Sequence, residues 1–433
     1  MATSSPTPGG RNRPVKPTGS PPGEQRGRAG QNRQRNAPTA REVAIAAIVA
    51  TEGGERANIV LPRLLSSSGL DERDRAFATE LTYGCLRMLR ACDWLVGLFA
   101  KGDLDPEVRA AARCGAYQLV WMRAPAYAAV SATVAAAPAR GRAVVNAVLR
   151  RVSEMVEQGP VRWPNPGVAL SYPDWVIARL SRDLGPAKAA AALARMNEAP
   201  TVSVREDGYT QDPASQAVSR FVCEQLRPGS LVADVCAAPG GKATYVAGQG
   251  HRVVALDIAG QRAGLVAENA ARTGLGPDQL AVAVADGLAP PLRHAAFDAV
   301  LVDAPCSGLG VLRRRPDARW RAQPGDIDRL AVLQRRLLRA AMALVAPGGA
   351  LVYSVCTLTR AETLEMGEWL VQCSAELCAA AQDPRADQPA LAKWDVLAPP
   401  GAPWERCGPG ALLLPQAAST DGMFVVGLRR PRA

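Results

Sequence analysis

The chain has 433 residues, 48% of them hydrophobic, which is enough for two or three domains with sizeable cores. Ten cysteines, none at CxxC spacing, beside only His251 and His294 argue against a disulfide framework, a metal site and most histidine-based catalysis. Neither a transmembrane stretch nor a secretory signal is read, so a cytoplasmic protein without membrane contact is expected.

The net charge of +11 is unevenly placed. Residues 1–40 carry Arg11, Arg13, Lys16, Arg26, Arg28, Arg33 and Arg35 against Glu24, and read as a disordered basic tail. Such a tail either touches nucleic-acid phosphates or merely solubilises the chain. Residues 41–160 read as helices. Ile45, Ile48 and Val49 share one face, a long helix spans residues 71–98, another follows from Pro106 to Met122, and a last one covers residues 140–156. In that last helix Val144, Val145, Val148, Leu149 and Val152 are apolar, whereas Arg140, Arg142, Arg150 and Arg151 are basic. The basic faces suit RNA or are solvated surface. Residues 161–210 read as a helical linker, with restarts at WPNP (163–166) and SYPDWVIARLSRDLG (171–185).

From Leu231 the pattern alternates strand and helix. Strands are predicted at residues 231–235, 252–257, 280–285, 297–302 and 350–355, with helices at 261–273 and 326–345, which implies a mostly parallel sheet wrapped by helices. Ligands of such sheets bind at the carboxyl ends of the strands, where Asp234, Asp257, Asp286 and Asp303 all fall. The first turn, Cys236-Ala237-Ala238-Pro239-Gly240-Gly241-Lys242, has glycines that let backbone amides approach a ligand. It is neither GxGxxG nor a phosphate-binding P-loop, which disfavours a nicotinamide enzyme. Asp257, 16 residues after Gly241, stands near where such folds put an acid for ribose hydroxyls. Two cysteines, Cys306 in DAPCSGLG (303–310) and Cys356 in SVCTL (354–358), sit among polar turn residues at candidate strand ends rather than in apolar filler.

Several of these stretches resemble known families. ERDRAFATELTYGCLRMLRACDWLV (72–96) and AVVNAVLRRV (143–152) are similar to the NusB-type RNA-binding domain. QDPASQ (211–216), CAAPGGK (236–242), DAPCSGLG with RRRPDARW after it, and VYSVCTL (352–358) resemble, in order and spacing, the RsmB/Sun family, which methylates carbon 5 of a cytosine in RNA with S-adenosylmethionine. The likeness covers about residues 41–430. One departure is a short link: where the family has a small α/β lobe between its counterparts of Arg205 and Gln211, this chain has only residues 206–210.

The resemblance implies a NusB-like all-α domain followed by a Rossmann-like α/β methyltransferase domain over residues 211–433. It makes Cys356 the nucleophile, Cys306 a group that promotes release, and Asp303 a partner for the cytosine edge that also borders the cofactor. Residues Cys236 to Lys242 would surround the methionine and ribose portions, Asp257 the ribose hydroxyls and Asp286 the adenine amino group. Lys242 either faces the target base or is a solvent-exposed lysine at a helix start. Arg313, Arg314, Arg315 and Arg319 are candidate RNA-phosphate contacts. Small-subunit ribosomal RNA is the expected substrate and a monomer the expected state. Two alternatives stay open: a non-catalytic RNA-binding assembly or antitermination factor, and the same chemistry on transfer RNA.

Overall fold

A computed structural model describes residues 37–380 and 393–432. Apart from residues 37–40, the predicted basic tail lies outside the described residues.

The helical unit starts at α1 (Ala40–Glu52), where Thr39 and Glu42 form a reciprocal cap. It continues through α2 (Ala57–Ser68), α3 (Glu72–Arg87), α4 (Leu89–Gly97), α5 (Pro106–Val120), α6 (Ala126–Ala136) and α7 (Arg142–Glu157). Helices α2 and α6 were not anticipated. α2 has a stripe at Ala57, Val60, Leu61 and Leu65 but carries Pro62 inside it, which reads as a break, and α6 is alanine-rich without a strong apolar stripe. A core of its own holds the unit together, including Ile48, Leu81, Leu95, Leu119 and Leu149.

The single helix predicted for residues 71–98 is broken at Met88, whose backbone leaves helical geometry. The reason is tertiary. The Leu86 carbonyl accepts from Trp320 Nε1 at 2.7 Å and the Arg87 carbonyl from Arg319 at 2.9 Å, while Ser171 Oγ accepts from the leading Arg90 amide of α4 at 3.0 Å. Groups that a continuous helix would pair internally are thus paired across the chain.

The stretch expected as a helical linker is helical and packs into the core of the sheet domain. α8 (Pro166–Leu170), α9 (Asp174–Leu184) and α10 (Pro186–Arg195) supply Val168, Val176, Leu180, Ala189 and Leu193 as buried residues, the last four inside the same apolar cluster as Leu338, Trp394 and Phe424. The shortened link between Arg205 and Gln211 is a tight hairpin closed by a Val204 to Thr210 bridge.

The sheet contains β1 (Leu231–Asp234), β2 (Arg252–Asp257), β3 (Leu280–Val284), β4 (Phe297–Asp303) and β5 (Val345–Val355), in the parallel order 3-2-1-4-5. Beyond β5 the sheet turns antiparallel through β9 (Met423–Arg429), which also pairs with β6 (Asp395–Val396), then β8 (Gly410–Leu413) and β7 (Glu405–Cys407). The mixed edge modifies the mostly parallel expectation, which holds for the five strands that carry the site. Alternation along the strands sorts side chains onto two faces. Ala299, Leu301, Ala350 and Val352 meet α11 (Pro213–Cys223), α12 (Gly241–Gly248) and α13 (Gly260–Arg272). Val300, Val302, Leu351 and Tyr353 meet α9, α10 and α15 (Pro324–Leu344), which follows the short α14 (Ala318–Arg321), on the other face. Burial on both faces explains why these strands read as continuous apolar runs. Among the described residues no helix is long and apolar enough to cross a membrane.

Candidate active site

Strands β1 and β4 are neighbours from which the sheet grows in opposite directions, the place where a doubly wound sheet opens a crevice at its carboxyl edge. The turn after β1 is stitched to both neighbours. Val235 N donates to the Leu301 carbonyl at 3.1 Å and Ala237 N to the Leu256 carbonyl at 2.8 Å. Gly240 caps α12 with φ +104°, a conformation few other residues adopt, and a Cβ there would stand 3.1 Å from Val266 Cα. No side chain caps α12, so its leading amides are open to an anionic group in the crevice.

Asp234 is buried, accepts from Cys236 N at 3.3 Å, and has its pKa pushed up to about 7 by burial and then by the charge of Asp303. Burial, with Asp234 beside it, also raises the Cys236 thiol. Asp257 ends β2, is buried, and accepts from Ala259 N at 3.1 Å with Arg262 at 3.2 Å. Asp286 is exposed just beyond β3 and accepts from Leu288 N at 2.9 Å. Between them lie two apolar side chains the sequence reading passed over. Ile258 follows Asp257 and is 69% exposed, and Val284 ends β3 at 61%. An isoleucine directly after a strand-end acid, where a turn residue would be usual, was the available signal. These two suit the faces of a flat aromatic base, and the flanking acids suit hydroxyl and amino donors.

Asp303 ends β4 beside Ser354 of β5. Its Oδ1 accepts from Ser354 Oγ at 2.6 Å and its Oδ2 from Lys242 Nζ at 2.6 Å. Lys242 is buried, which rules out the solvent-lysine alternative. Burial pulls its pKa down, but the Asp303 charge and hydrogen bond outweigh that and the net shift is upward. Cys306 and Cys356, half-buried, approach to 3.3 Å between sulfurs. The hydrogen bond to Cys356, burial, and the charges of Glu362 and Asp303 hold the Cys306 thiol well above its ordinary pKa, so it stays protonated.

The arginine run divides. Arg319 is fully buried: its guanidinium lies 3.8 Å over the Tyr172 ring and donates to the carbonyls of Arg87, Ser171 and Leu312 and to Asn197 Oδ1. Arg313 is also buried, donating to the Ser419 and Ala199 carbonyls. The expected RNA-phosphate role is therefore corrected for both, because their donors are committed inside the protein. Arg314 bridges Asp212 at 2.7 Å and Asp421 at 3.1 Å. Only Arg315 of the four is exposed.

The family described as 16S rRNA methyltransferase RsmB/F matches residues 223–429, and the NusB family matches residues 38–154. A protein of Thermus thermophilus, Ribosomal RNA small subunit methyltransferase B, is 37% identical over 358 residues, covering 75% of this chain and 85% of its own length. The chain belongs to the RsmB/F family. An Erwinia tasmaniensis protein of the same name is 28% identical over 435 residues, covering 87% of this chain and 95% of its own. The crystal structure of PH0851 superposes with a TM-score of 0.68 at 20% identity, over 90% of this chain and 99% of that one, and supports the fold. As an RsmB/F member the protein is an S-adenosylmethionine-dependent methyltransferase. The open α12 amides, the two strand-end acids and the apolar pair Ile258 and Val284 fit that cofactor's charged and aromatic parts.

Proposed function

We propose that this protein methylates carbon 5 of a cytosine in RNA, with small-subunit ribosomal RNA as substrate, through a covalent bond between Cys356 and carbon 6 of the base. The observation that carries the reading is the pair of thiols in contact at adjacent loops, beside the Lys242 and Asp303 pair and on the sheet edge that bears the cofactor turn. The relatives from Thermus thermophilus and Erwinia tasmaniensis are named for small-subunit ribosomal RNA, which supports the substrate.

Carbon 5 of cytosine is a poor nucleophile. Addition of the Cys356 thiolate to carbon 6 pushes an electron pair onto carbon 5 and makes it one. S-adenosylmethionine supplies the electrophilic methyl group when bound. Lys242 spends one donor on Asp303 and has others for the base, where its charge balances the negative charge that develops on the ring. Asp303 keeps acceptor capacity for the cytosine amino group. After methylation the carbon 5 proton passes to water, its bonding pair forms the ring double bond, and the carbon 6 to sulfur pair returns to Cys356. The Cys306 thiol, in contact with that leaving sulfur, donates its proton to it as general acid. The base reaches the thiols only when splayed from its stack, which favours a single-stranded site. Arg315 is the remaining candidate from the arginine run for a phosphate contact.

The test uses Cys306→Ala protein with unmodified small-subunit ribosomal RNA and S-adenosylmethionine, resolved under denaturing conditions. A protein-RNA adduct that disappears in Cys306→Ala/Cys356→Ala protein is expected. RNA binding without adduct, and without methyl transfer by wild type, would instead favour a binding factor. Labelled methyl entering transfer RNA alone would move the substrate.

A further inference from the structure

Behind the two thiols is a buried carboxylate that the chemistry above leaves unused. Glu362, in a short turn (Arg360–Glu362) six residues after Cys356, is completely buried. Its Oε1 accepts from the Ser307 amide at 2.8 Å and from Gln334 Nε2 at 3.0 Å, and its Oε2 from Ser307 Oγ at 2.5 Å and Thr359 Oγ1 at 2.7 Å. Gln334, fully buried on α15, also donates Nε2 to the Pro305 carbonyl at 2.9 Å. The Tyr353 hydroxyl shares its proton between Gln334 Oε1 at 3.0 Å and the Glu362 carbonyl at 2.8 Å. Thr357 Oγ1 lies 2.7 Å from Ser307 Oγ, joining the residues that follow each cysteine.

The placement of these bonds is informative. A carboxylate withdrawn from water is costly unless its lone pairs are met, and an apolar side chain could fill the same space without that cost. Ser307, directly after Cys306, supplies two of the four bonds to Glu362, and a third comes from Gln334, which also donates to the carbonyl of Pro305 directly before Cys306. Glu362 itself is carried by the segment that carries Cys356. The network is therefore a brace between two loops whose separation sets the 3.3 Å sulfur contact.

We propose that Glu362, acting with Gln334, is a positioning residue for the release step: it holds the Cys306 thiol against the Cys356 sulfur so that Cys356 is expelled quickly from the methylated base. The inference rests on the carbon 5 reading above. A brace for Cys306 has little to do with the addition of Cys356 to carbon 6, so its loss slows release far more than addition.

The experiment compares wild type, Cys306→Ala, Glu362→Gln and the double variant in single-turnover reactions, following adduct formation and adduct decay separately. Glu362→Gln is expected to form adduct at nearly the wild-type rate and to resolve it about 10- to 100-fold more slowly, the range that mispositioning of a reacting group costs. In the Cys306→Ala background the same substitution should add nothing to the decay defect, because the group it positions is gone. Wild-type decay in folded Glu362→Gln protein overturns the proposal, as does an equal slowing of formation and decay or an additive defect in the double variant. If Cys306→Ala forms no adduct at all, the carbon 5 reading fails and takes this proposal with it. Should Glu362→Gln not fold, Ser307→Ala, which removes the hydroxyl's contacts with Glu362 and Thr357 and keeps the amide bond, is read in the same way: slower decay supports the brace and unchanged decay overturns it.

Discussion

At the residue scale the site is an arrangement of charges held out of water. Lys242 and Asp234 are buried and Asp303 is partly exposed, and the three are not equally well paired. Asp303 is satisfied by Lys242 and Ser354, whereas buried Asp234 has only one long bond from Cys236 N. The folded state consequently favours the protonated form of Asp234, with a pKa near 7 against the usual carboxylate value in the unfolded chain. Because the folded pKa is the higher one, its stabilising contribution is complete at low pH and is lost as pH rises toward 7. Asp234→Asn, which keeps the acceptor and removes the charge, should leave stability almost unchanged near pH 4. Above pH 7 it should raise stability by on the order of 2–4 kcal/mol. Thermal unfolding of both proteins from roughly pH 3.5 to 8.5, which brackets that window, checks this; a constant difference would contradict it.

At the scale of elements, loops from distant parts of the chain are locked by backbone contacts. Gly310 N donates to the Cys356 carbonyl at 3.0 Å, and the Gly310 carbonyl accepts from Gly422 N at 2.8 Å. A Cβ on Gly310 would stand 2.3 Å from the Gly422 oxygen and 2.9 Å from the Cys356 oxygen, both main-chain atoms unable to swing aside. Gly310→Ala must therefore separate the two cysteine loops, at a cost of about 1–3 kcal/mol in stability and a larger proportional loss of methyl transfer. Calorimetry with a methyl-transfer assay would show it; wild-type values in both would mean that the loops are compliant. The same scale explains a sequence failure: nothing in residues 71–98 marks a break at Met88, since the partners that justify it, Ser171, Arg319 and Trp320, are far away in the chain.

For the whole molecule, Arg319 and Trp320 connect the helical unit to the catalytic one. Burial pulls the Arg319 pKa down to about 10, which still leaves a charged group, and that charge is met by carbonyl oxygens and the Tyr172 ring. Arg319→Met should cost about 3 kcal/mol or more, because several buried carbonyls lose their donor together. Its effect on RNA binding should show no change in salt dependence below the unfolding temperature. Arg315→Ala should do the reverse, lowering the slope of log affinity against log salt by about one if Arg315 meets a phosphate. Binding titrations at several salt concentrations, run beside melting curves, separate the two; a reduced slope for a fully folded Arg319→Met protein would restore the surface role.

The local sequence determined the strand and helix alternation, the acids at strand ends, the glycine turn after β1 and the two cysteine motifs, because each depends on short-range periodicity or on a turn that needs particular residues. The NusB-type and RsmB/Sun likenesses were legible for the same reason, as contiguous motifs in order. Tertiary structure alone decided what depends on residues far apart in the chain. It buried Lys242 against Asp303, turned Arg313 and Arg319 from expected phosphate contacts into internal ties, and merged the predicted linker into the catalytic core. It also set Glu362 behind Cys306. A charged side chain looks the same in a sequence whether it faces water or a cluster of buried carbonyls, and only the fold supplies the partners that make burial affordable.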